Sequence, residues 1–162
     1  MKNLVLIMGL LLTGSTFAQI IYHPKGRTEK IAKVQSGQTY TYLDDGGPEN
    51  YTPRTNSILT IYPEKEGEYV TLTCNSFEVG SDVRMYVFDG NHAGAPILAY
   101  VDIHNAKGRF TIKPGQVIKA SSKNKSGALS IRFVHANKRA TKQGWNFSVT
   151  TSATPGKAPR KN

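Results

Sequence analysis

The sequence predicts an all-β protein, a sandwich of about nine short strands. The first observation is a period-two alternation of apolar residues in the stretch 57–90, where Val70, Leu72 and Cys74 share one parity. The second is the recurrence of turn residues, chiefly Gly, Pro and Asn, at short and even spacing. The third is that no segment repeats apolar residues at the spacing of an amphipathic helix. Short alternating runs between turns are typical of strands with one buried face.

The first 18 residues have the features of an export signal. Lys2 gives a basic start, residues 4–12 form a short apolar core, and Thr16-Phe17-Ala18 is a small-x-small cleavage site. The apolar core is well short of the roughly 20 residues that a membrane-spanning helix needs. We therefore predict a signal peptide at 1–18 and a mature chain that begins at Gln19 and has no transmembrane segment. The protein would lie in the periplasm, on the outer surface or in the extracellular medium.

The remaining elements follow in order from the turn chemistry. Residues 19–37 predict an N-terminal arm or a first strand, and residues 38–151 predict the sandwich itself. Turns are predicted wherever Gly, Asn, Asp and Pro cluster, as at 44–48, 64–67, 91–96, 104–108, 113–115 and 123–127. The strands between them cover 38–43, 58–62, 70–74, 83–87, 97–103, 109–112, 117–121, 128–135 and 144–151. Residues 152–162 are basic, contain two prolines and almost nothing apolar, and predict a short disordered tail.

The central stretch resembles the signature of CUB domains. The matching residues are Pro63, Gly67, Val70-x-Leu72-x-Cys74, Phe77 and Met85-x-Val87-Phe88-Asp89-Gly90. The match continues with Ser121-Ser122, Leu129-x-Ile131-x-Phe133 and Gly144-Trp145-x-Phe147. Upstream, Asp44-Asp45-Gly46-Gly47-Pro48 and Asn50-Tyr51 resemble the entry of bacterial members of the family. The resemblance covers residues 38–151. It implies a jelly-roll β-sandwich and, since CUB domains are generally interaction modules, a role in binding.

Two features depart from that family. Animal CUB domains usually carry two disulfides, whereas Cys74 is the single cysteine here, and its parity predicts a small buried side chain. The family's calcium site takes three carboxylates; Glu78 and Asp82 lie near the first two places, each displaced, and the third place is Ala136. Calcium requires about six to eight oxygen ligands. We therefore favour no metal and no cofactor, and Glu78 and Asp82 remain as the calcium candidates.

The charge of the chain is distributed unevenly. The net charge is +10, and every acidic residue lies at or before Asp102. The predicted binding residues are mostly cationic side chains in turns or loops of the C-terminal half, namely Lys107, Arg109, Lys123, Lys125, Lys138, Arg139 and Lys142. Arg84 and Tyr86 join them, because their parity opposite to Met85 and Val87 predicts an exposed pair able to anchor an interface. The asymmetry predicts an acidic partner. The sequence alone leaves open whether these residues form one patch or a dispersed, solubilising set.

Catalytic residues are not arranged in a recognisable motif. No serine lies in a G-x-S-x-G elbow, and His23, His92, His104 and His135 fall in four separate turn or loop contexts. We therefore predict a non-catalytic extracytoplasmic binding module that mediates protein–protein interaction or assembly at the bacterial cell envelope. Its partner would be an acidic protein or another envelope component. Recognition of a glycan or other polyanion is the alternative, a small hydrolase is the second alternative, and specific nucleic-acid binding is not expected.

Overall fold

The computed structural model describes residues 19–80, 82–102, 112–136 and 142–159. These residues form ten strands: β1 (Gln19–Tyr22), β2 (Glu29–Val34), β3 (Tyr40–Leu43), β4 (Thr55–Pro63), β5 (Tyr69–Glu78), β6 (Val83–Phe88), β7 (Ile97–Asp102), β8 (Val117–Lys119), β9 (Leu129–His135) and β10 (Gly144–Ser152). The predicted all-β sandwich is confirmed. In the described part of the chain we find no helix that is long and apolar enough to cross a membrane. The predicted signal peptide at 1–18 lies outside the described residues.

The strands form two sheets of five. Sheet A has the order β1-β3-β10-β5-β8, and sheet B has the order β2-β4-β9-β6-β7. The segment predicted as an arm or first strand supplies an edge strand to each sheet: β1 pairs parallel with β3, and β2 pairs parallel with β4. Between them the chain crosses from one sheet to the other, through a turn in which Gly26 has φ +68°. All the other strand pairings are antiparallel.

The core lies between the sheets and follows the predicted alternation. Leu59 and Ile61 of β4 and Met85 and Val87 of β6 are fully buried, as are their counterparts on β5, β9 and β10. Cys74 is 1% exposed, as its parity predicts. Burial raises the pKa of its thiol to about 11, so the reactive thiolate is scarce at neutral pH.

An aromatic cluster fills the middle of this core and includes a histidine. The rings of Phe133 and Trp145 meet edge to face with centroids 4.7 Å apart. His23 contacts both rings, and its Nδ1 lies 2.8 Å from the Tyr42 hydroxyl. Burial lowers the pKa of His23 to about 3, so the ring is neutral in the folded protein. The sequence places His23 in a turn-rich connection, but its amide donates to the Leu43 carbonyl and so continues the β1–β3 pairing, which brings the ring inside.

Buried carboxyl groups fix the loops at the two ends of the sandwich. At one end Asp89 accepts hydrogen bonds from the Ser121 amide (2.8 Å), the Ser121 hydroxyl (2.5 Å) and the Asn124 side chain (3.2 Å). At the other end Asp44 accepts from the amides of Gly46 (2.7 Å) and Trp145 (3.3 Å). Burial raises the pKa of Asp44. These bonds satisfy main-chain donors that would otherwise be buried without partners.

Part of the predicted tail lies against the sandwich. β10 continues to Ser152, and Gly156 pairs with Ser121 while its amide donates to the Ala120 carbonyl at 2.8 Å. Residues 160–162 of that tail, the predicted turn at 104–108 and most of the predicted strand at 109–112 lie outside the described residues. Of that strand Ile112 is described, and its side chain is buried.

Candidate functional site

The outer face of sheet B combines arginine and tyrosine side chains. Its strands alternate, so Ile58 of β4, Arg132 of β9 and Tyr86 of β6 point away from the core that their neighbours fill. The strand register places these three residues side by side in one row, which Tyr100 of β7 continues. Side chains opposite each other on one face of a sheet are in contact range. Arg132 therefore lies between an aliphatic and an aromatic neighbour.

A second row on the same face contains Arg84 and an acidic residue. The register aligns Asn56, Val134, Arg84 and Asp102 across four strands. The Arg84 Nε lies 3.8 Å from an Asp102 carboxylate oxygen, and the Tyr86 hydroxyl donates to the same oxygen at 3.3 Å. Burial, together with the nearby Asp102, raises the pKa of Tyr86, so it remains a neutral donor. Asp102 thus holds the predicted pair Arg84 and Tyr86 in place on the surface.

The tyrosine rings lie flat against their neighbours. Tyr86 stacks on Tyr100 with centroids 6.1 Å apart and an interplanar angle of 20°. It also stacks on Phe88, at the same distance and 28°. Offset stacking of this kind reduces the freedom of each ring. The face is therefore a rigid aromatic surface before any partner arrives.

Two neighbouring concavities that share Arg27 and Asn56 lie along the outer side of β4, and together they form a groove lined by arginines. Near the start of the strand it encloses about 420 Å³, between Arg27, Arg54 and Asn56. Farther along it encloses a further 300 Å³, where Arg27 and Asn56 are joined by Arg132. The Arg132 Nε donates to the Asn56 Oδ1 at 3.1 Å, which orients the guanidinium along the groove. We call this feature, defined by Arg27, Arg54, Asn56 and Arg132, the arginine groove.

The structure separates the predicted cationic residues that it describes. Lys123 and Lys125 lie in the connection that leads into the first residue of β9. Lys142 lies beyond the last residue of that strand, and its ammonium is 3.5 Å from Glu78. Seven strand residues span about 20 Å, so these lysines lie at opposite ends of the sandwich. The predicted residues Lys107, Arg109, Lys138 and Arg139 lie outside the described residues.

Each of the two calcium candidates lies beside a basic side chain. Glu78 pairs with Lys142. Asp82 lies 3.2 Å from the Nε2 of the buried His135. Among the described residues no three His, Cys, Asp or Glu side chains are grouped to hold a metal. With an ammonium beside Glu78, an imidazole beside Asp82 and Ala136 in the third place, this arrangement does not fit calcium, which needs several oxygen ligands.

The histidines and buried aspartates have structural contacts. His135 is buried at the end of β9 against the ring of Tyr51, whose hydroxyl accepts from the Gly80 amide. His92 accepts a hydrogen bond from the Gly94 amide inside its own loop. Asp89 is occupied by Ser121 and Asn124, as described above. His104 lies outside the described residues. The predicted absence of a catalytic arrangement remains a prediction.

Sequence reasoning missed the groove arginines. The parity of β9 offered a signal for Arg132, because Ile131 and Phe133 on either side are core residues. Arg27 and Arg54 lie in turns far apart in the sequence, and no local pattern indicates that they come together. They meet only because the Asn56 amide donates to the Gly26 carbonyl at 2.7 Å, a contact between segments about 30 residues apart.

Comparisons with known proteins identify the fold. No protein-family model matches the sequence, and no curated protein matches it either. Among solved structures, the full extracellular region of zebrafish Gpr126/Adgrg6 superposes with a TM-score of 0.54 and 16% identity, covering 75% of this chain and 14% of that one. The CUB1-EGF-CUB2 domains of rat MASP-1 give 0.53 and 12%, covering 75% and 42%. The human MASP-1/3 counterpart gives 0.50 and 16%, covering 74% and 41%. This chain thus spans less than half of each, and the predicted resemblance to CUB domains is confirmed for the fold.

Proposed function

We propose that this chain is a non-catalytic, exported binding module that holds an acidic protein partner at the cell envelope through the outer face of sheet B. Sandwiches with the CUB fold typically serve as binding modules. The observation that carries the proposal is the row in which Arg132 lies between Ile58 and Tyr86. Arginine and tyrosine are enriched at the centres of protein interfaces, where lysine is depleted.

The charge of the face supports an acidic partner. Four arginines lie on this face or at its margin, namely Arg27, Arg54, Arg84 and Arg132. The carboxylates described there are those of Glu29 and Asp102, so the positive charges outnumber the negative ones. The chain as a whole is also strongly basic. A cationic surface accelerates encounter with an anionic partner, and this acceleration weakens with salt.

The rigid tyrosines favour a protein partner. Because Tyr86 and Tyr100 are already stacked, little side-chain entropy is lost when they are covered. The half-buried Ile58 beside them would be covered at the same time. A partner with acidic groups around an apolar centre would match this face, and a glycan that stacks on the tyrosines is the competing occupant.

The test is a pulldown from envelope extract with three immobilised forms of the full chain. These are the unaltered protein, the double variant R84Q/R132Q, and the matched control K113Q/K119Q. The control also removes two charges, but at and just before β8 in sheet A. We expect an acidic protein to be recovered by the first and third forms and lost from R84Q/R132Q.

Salt and glycan competition complete the test. Recovery should fall between 0.1 M and 1 M salt, since the screening length shrinks from about 10 Å to about 3 Å. Equal recovery by R84Q/R132Q and the unaltered protein would refute the proposed face. Removal of the captured material by prior glycosidase treatment of the extract would favour glycan recognition instead.

A further inference from the structure

The arginine groove is lined by three arginines together with polar and apolar side chains. Arg27 and Arg54 stand on its sides near the start of β4, and Arg132 stands farther along. The half-buried side chain of Val134 lines the part near the start of β4, and that of Ile58 lines the part farther along. In the described part of the chain, none of the three arginines forms an ion pair with a carboxylate. Their guanidinium groups are thus available to an outside anion, which each can bind through two parallel hydrogen bonds.

The backbone at Arg54 is held in an unfavourable conformation. Its φ is +57°, and it is the single non-glycine residue with positive φ in the described segments. Residues other than Gly, Asn and Asp rarely adopt this region, and such strain is concentrated at ligand sites. The following Thr55 stabilises the turn, since its hydroxyl donates to the Thr52 carbonyl at 3.2 Å. A glycine would fit this turn without strain, so the turn conformation does not by itself account for an arginine at this position.

The length of the groove indicates a chain rather than a free ion. From Thr55 to Ile58 the groove follows three strand steps, or about 10 Å. An isolated phosphate or sulfate would fill only a small part of that length. An extended peptide repeats side chains on one face every two residues, about 7 Å apart. When its apolar side chains rest on Ile58 and Val134, its acidic side chains point to the opposite face of the segment, where the long arginine side chains beside the groove can reach them.

We propose that the arginine groove binds an extended acidic segment of a partner protein, about four residues long, in which acidic and apolar residues alternate. This inference rests on the proposed function, because it names the anchor by which the acidic partner is held. Glu29 lies at the far end of the groove and disfavours an anion there. The first acidic residue of the segment is thus placed between Arg27 and Arg54, and the second lies about 7 Å farther along, toward Arg132.

The experiment measures binding of defined probes to the full chain by calorimetry. The main probe is a capped six-residue peptide that alternates glutamate and valine. Its control is a peptide of the same composition in which three glutamates precede three valines. A heparin-derived hexasaccharide tests the sulfated-glycan alternative. The protein forms are the unaltered chain, R27Q/R54G, and K113Q/K119Q.

The expected result separates the effect of residue order in the peptide from the effect of net charge on the protein. The alternating peptide should bind more tightly than the block peptide, and R27Q/R54G should weaken it by about tenfold or more because two charge-assisted contacts are lost. The control K113Q/K119Q should stay within about twofold, as expected of distant charges at moderate salt. The Arg54→Gly single variant should unfold at the same urea concentration as the unaltered chain or a higher one, which would exclude misfolding as the cause.

Three results would overturn the inference. The first is equal weakening by R27Q/R54G and the control, which would mean that net charge alone matters. The second is equal affinity for the two peptides. The third is tight binding of the hexasaccharide, lost in R27Q/R54G, when neither peptide binds.

The pulldown separates this inference from the proposed function. If R27Q/R54G still captures the acidic partner that R84Q/R132Q loses, the groove is not the anchor, but the outer face of sheet B stands. If R84Q/R132Q retains the partner while the alternating peptide depends on Arg27 and Arg54, the proposed face fails and the groove stands.

Discussion

Replacing Gly144 with alanine should destabilise the protein through one carboxyl group. Gly144 has φ +82°, and it begins β10 beside Asp44. A Cβ built on Gly144 would lie 2.5 Å from the Asp44 Cγ, closer than Cβ contacts in real structures. The carboxyl group must therefore move and lose its hydrogen bonds from the Gly46 and Trp145 amides.

The cost of losing the Asp44 hydrogen bonds can be separated from the cost of backbone strain, because the chain contains a second glycine with the same φ. Gly115 has the same φ, +82°, and a Cβ built there meets nothing within 4 Å. Gly115→Ala should thus lower the free energy of unfolding by about 1 kcal/mol. Alanine is strained in the left-handed region, and this cost is partly offset because alanine reduces the entropy of the unfolded chain. Gly144→Ala should cost a further 2–3 kcal/mol or so, from two hydrogen bonds at about 1–1.5 kcal/mol each.

Urea unfolding followed by the fluorescence of Trp145, the single tryptophan, measures both variants. The excess of Gly144→Ala over Gly115→Ala should disappear when Asp44 is replaced by alanine, since the two sites then no longer interact. Equal destabilisation by the two glycine variants, to within about 0.5 kcal/mol, would refute the reasoning. So would an excess that persists in the Asp44→Ala background.

Further predictions concern buried groups and metal binding. Cys74 should react slowly with a thiol reagent in the folded protein and rapidly in urea, because burial raises its pKa to about 11; fast native labelling would contradict its burial. Millimolar calcium should not raise the free energy of unfolding, because Lys142 and His135 engage Glu78 and Asp82; a gain near the 2.7 kcal/mol or so expected at 100 times a dissociation constant would show a site after all. Burial lowers the pKa of His23 from 6.5 to about 3. Between those values the unfolded chain binds the proton and the folded chain does not, so the free energy of unfolding should fall as pH drops, by about 1.4 kcal/mol per unit from this group. The variant His23→Phe should show a shallower pH dependence than the unaltered chain, and an unchanged slope would exclude His23 as its source.

Local patterns predict the inward face of the central strands well. The alternation at Val70, Leu72 and Cys74 specifies which side of β5 is buried, because a shift of one residue would exchange the two faces. The outward placement of Arg84 and Tyr86 follows from the same rule. These predictions depend on neighbours in the sequence, which is why they could be made before the structure.

The edge strands and the groove depend on distant contacts that leave no local mark. β1 and β2 pair parallel with β3 and β4, and a parallel partner cannot be read from a short turn as a hairpin can. The burial of His23 depends on the same parallel pairing, because its amide donates to Leu43 of β3. Arg27, Arg54 and Arg132 come together only when β2, β4 and β9 are assembled, so composition predicts a basic protein but not its binding site.

The central position of β10 in sheet A has a consequence for how the chain folds during synthesis. β10 lies between β3 and β5, and it is the last of the ten strands to leave the ribosome. Until residues 144–152 emerge, the strand that lies between β3 and β5 is missing. The β1–β3 pair is therefore not connected to β5. Chains grow at about 5–20 residues per second, so the earlier strands wait for several seconds without their partner. Sheet B does not contain β10, so it is sheet A that cannot be completed until the last strand has been synthesised.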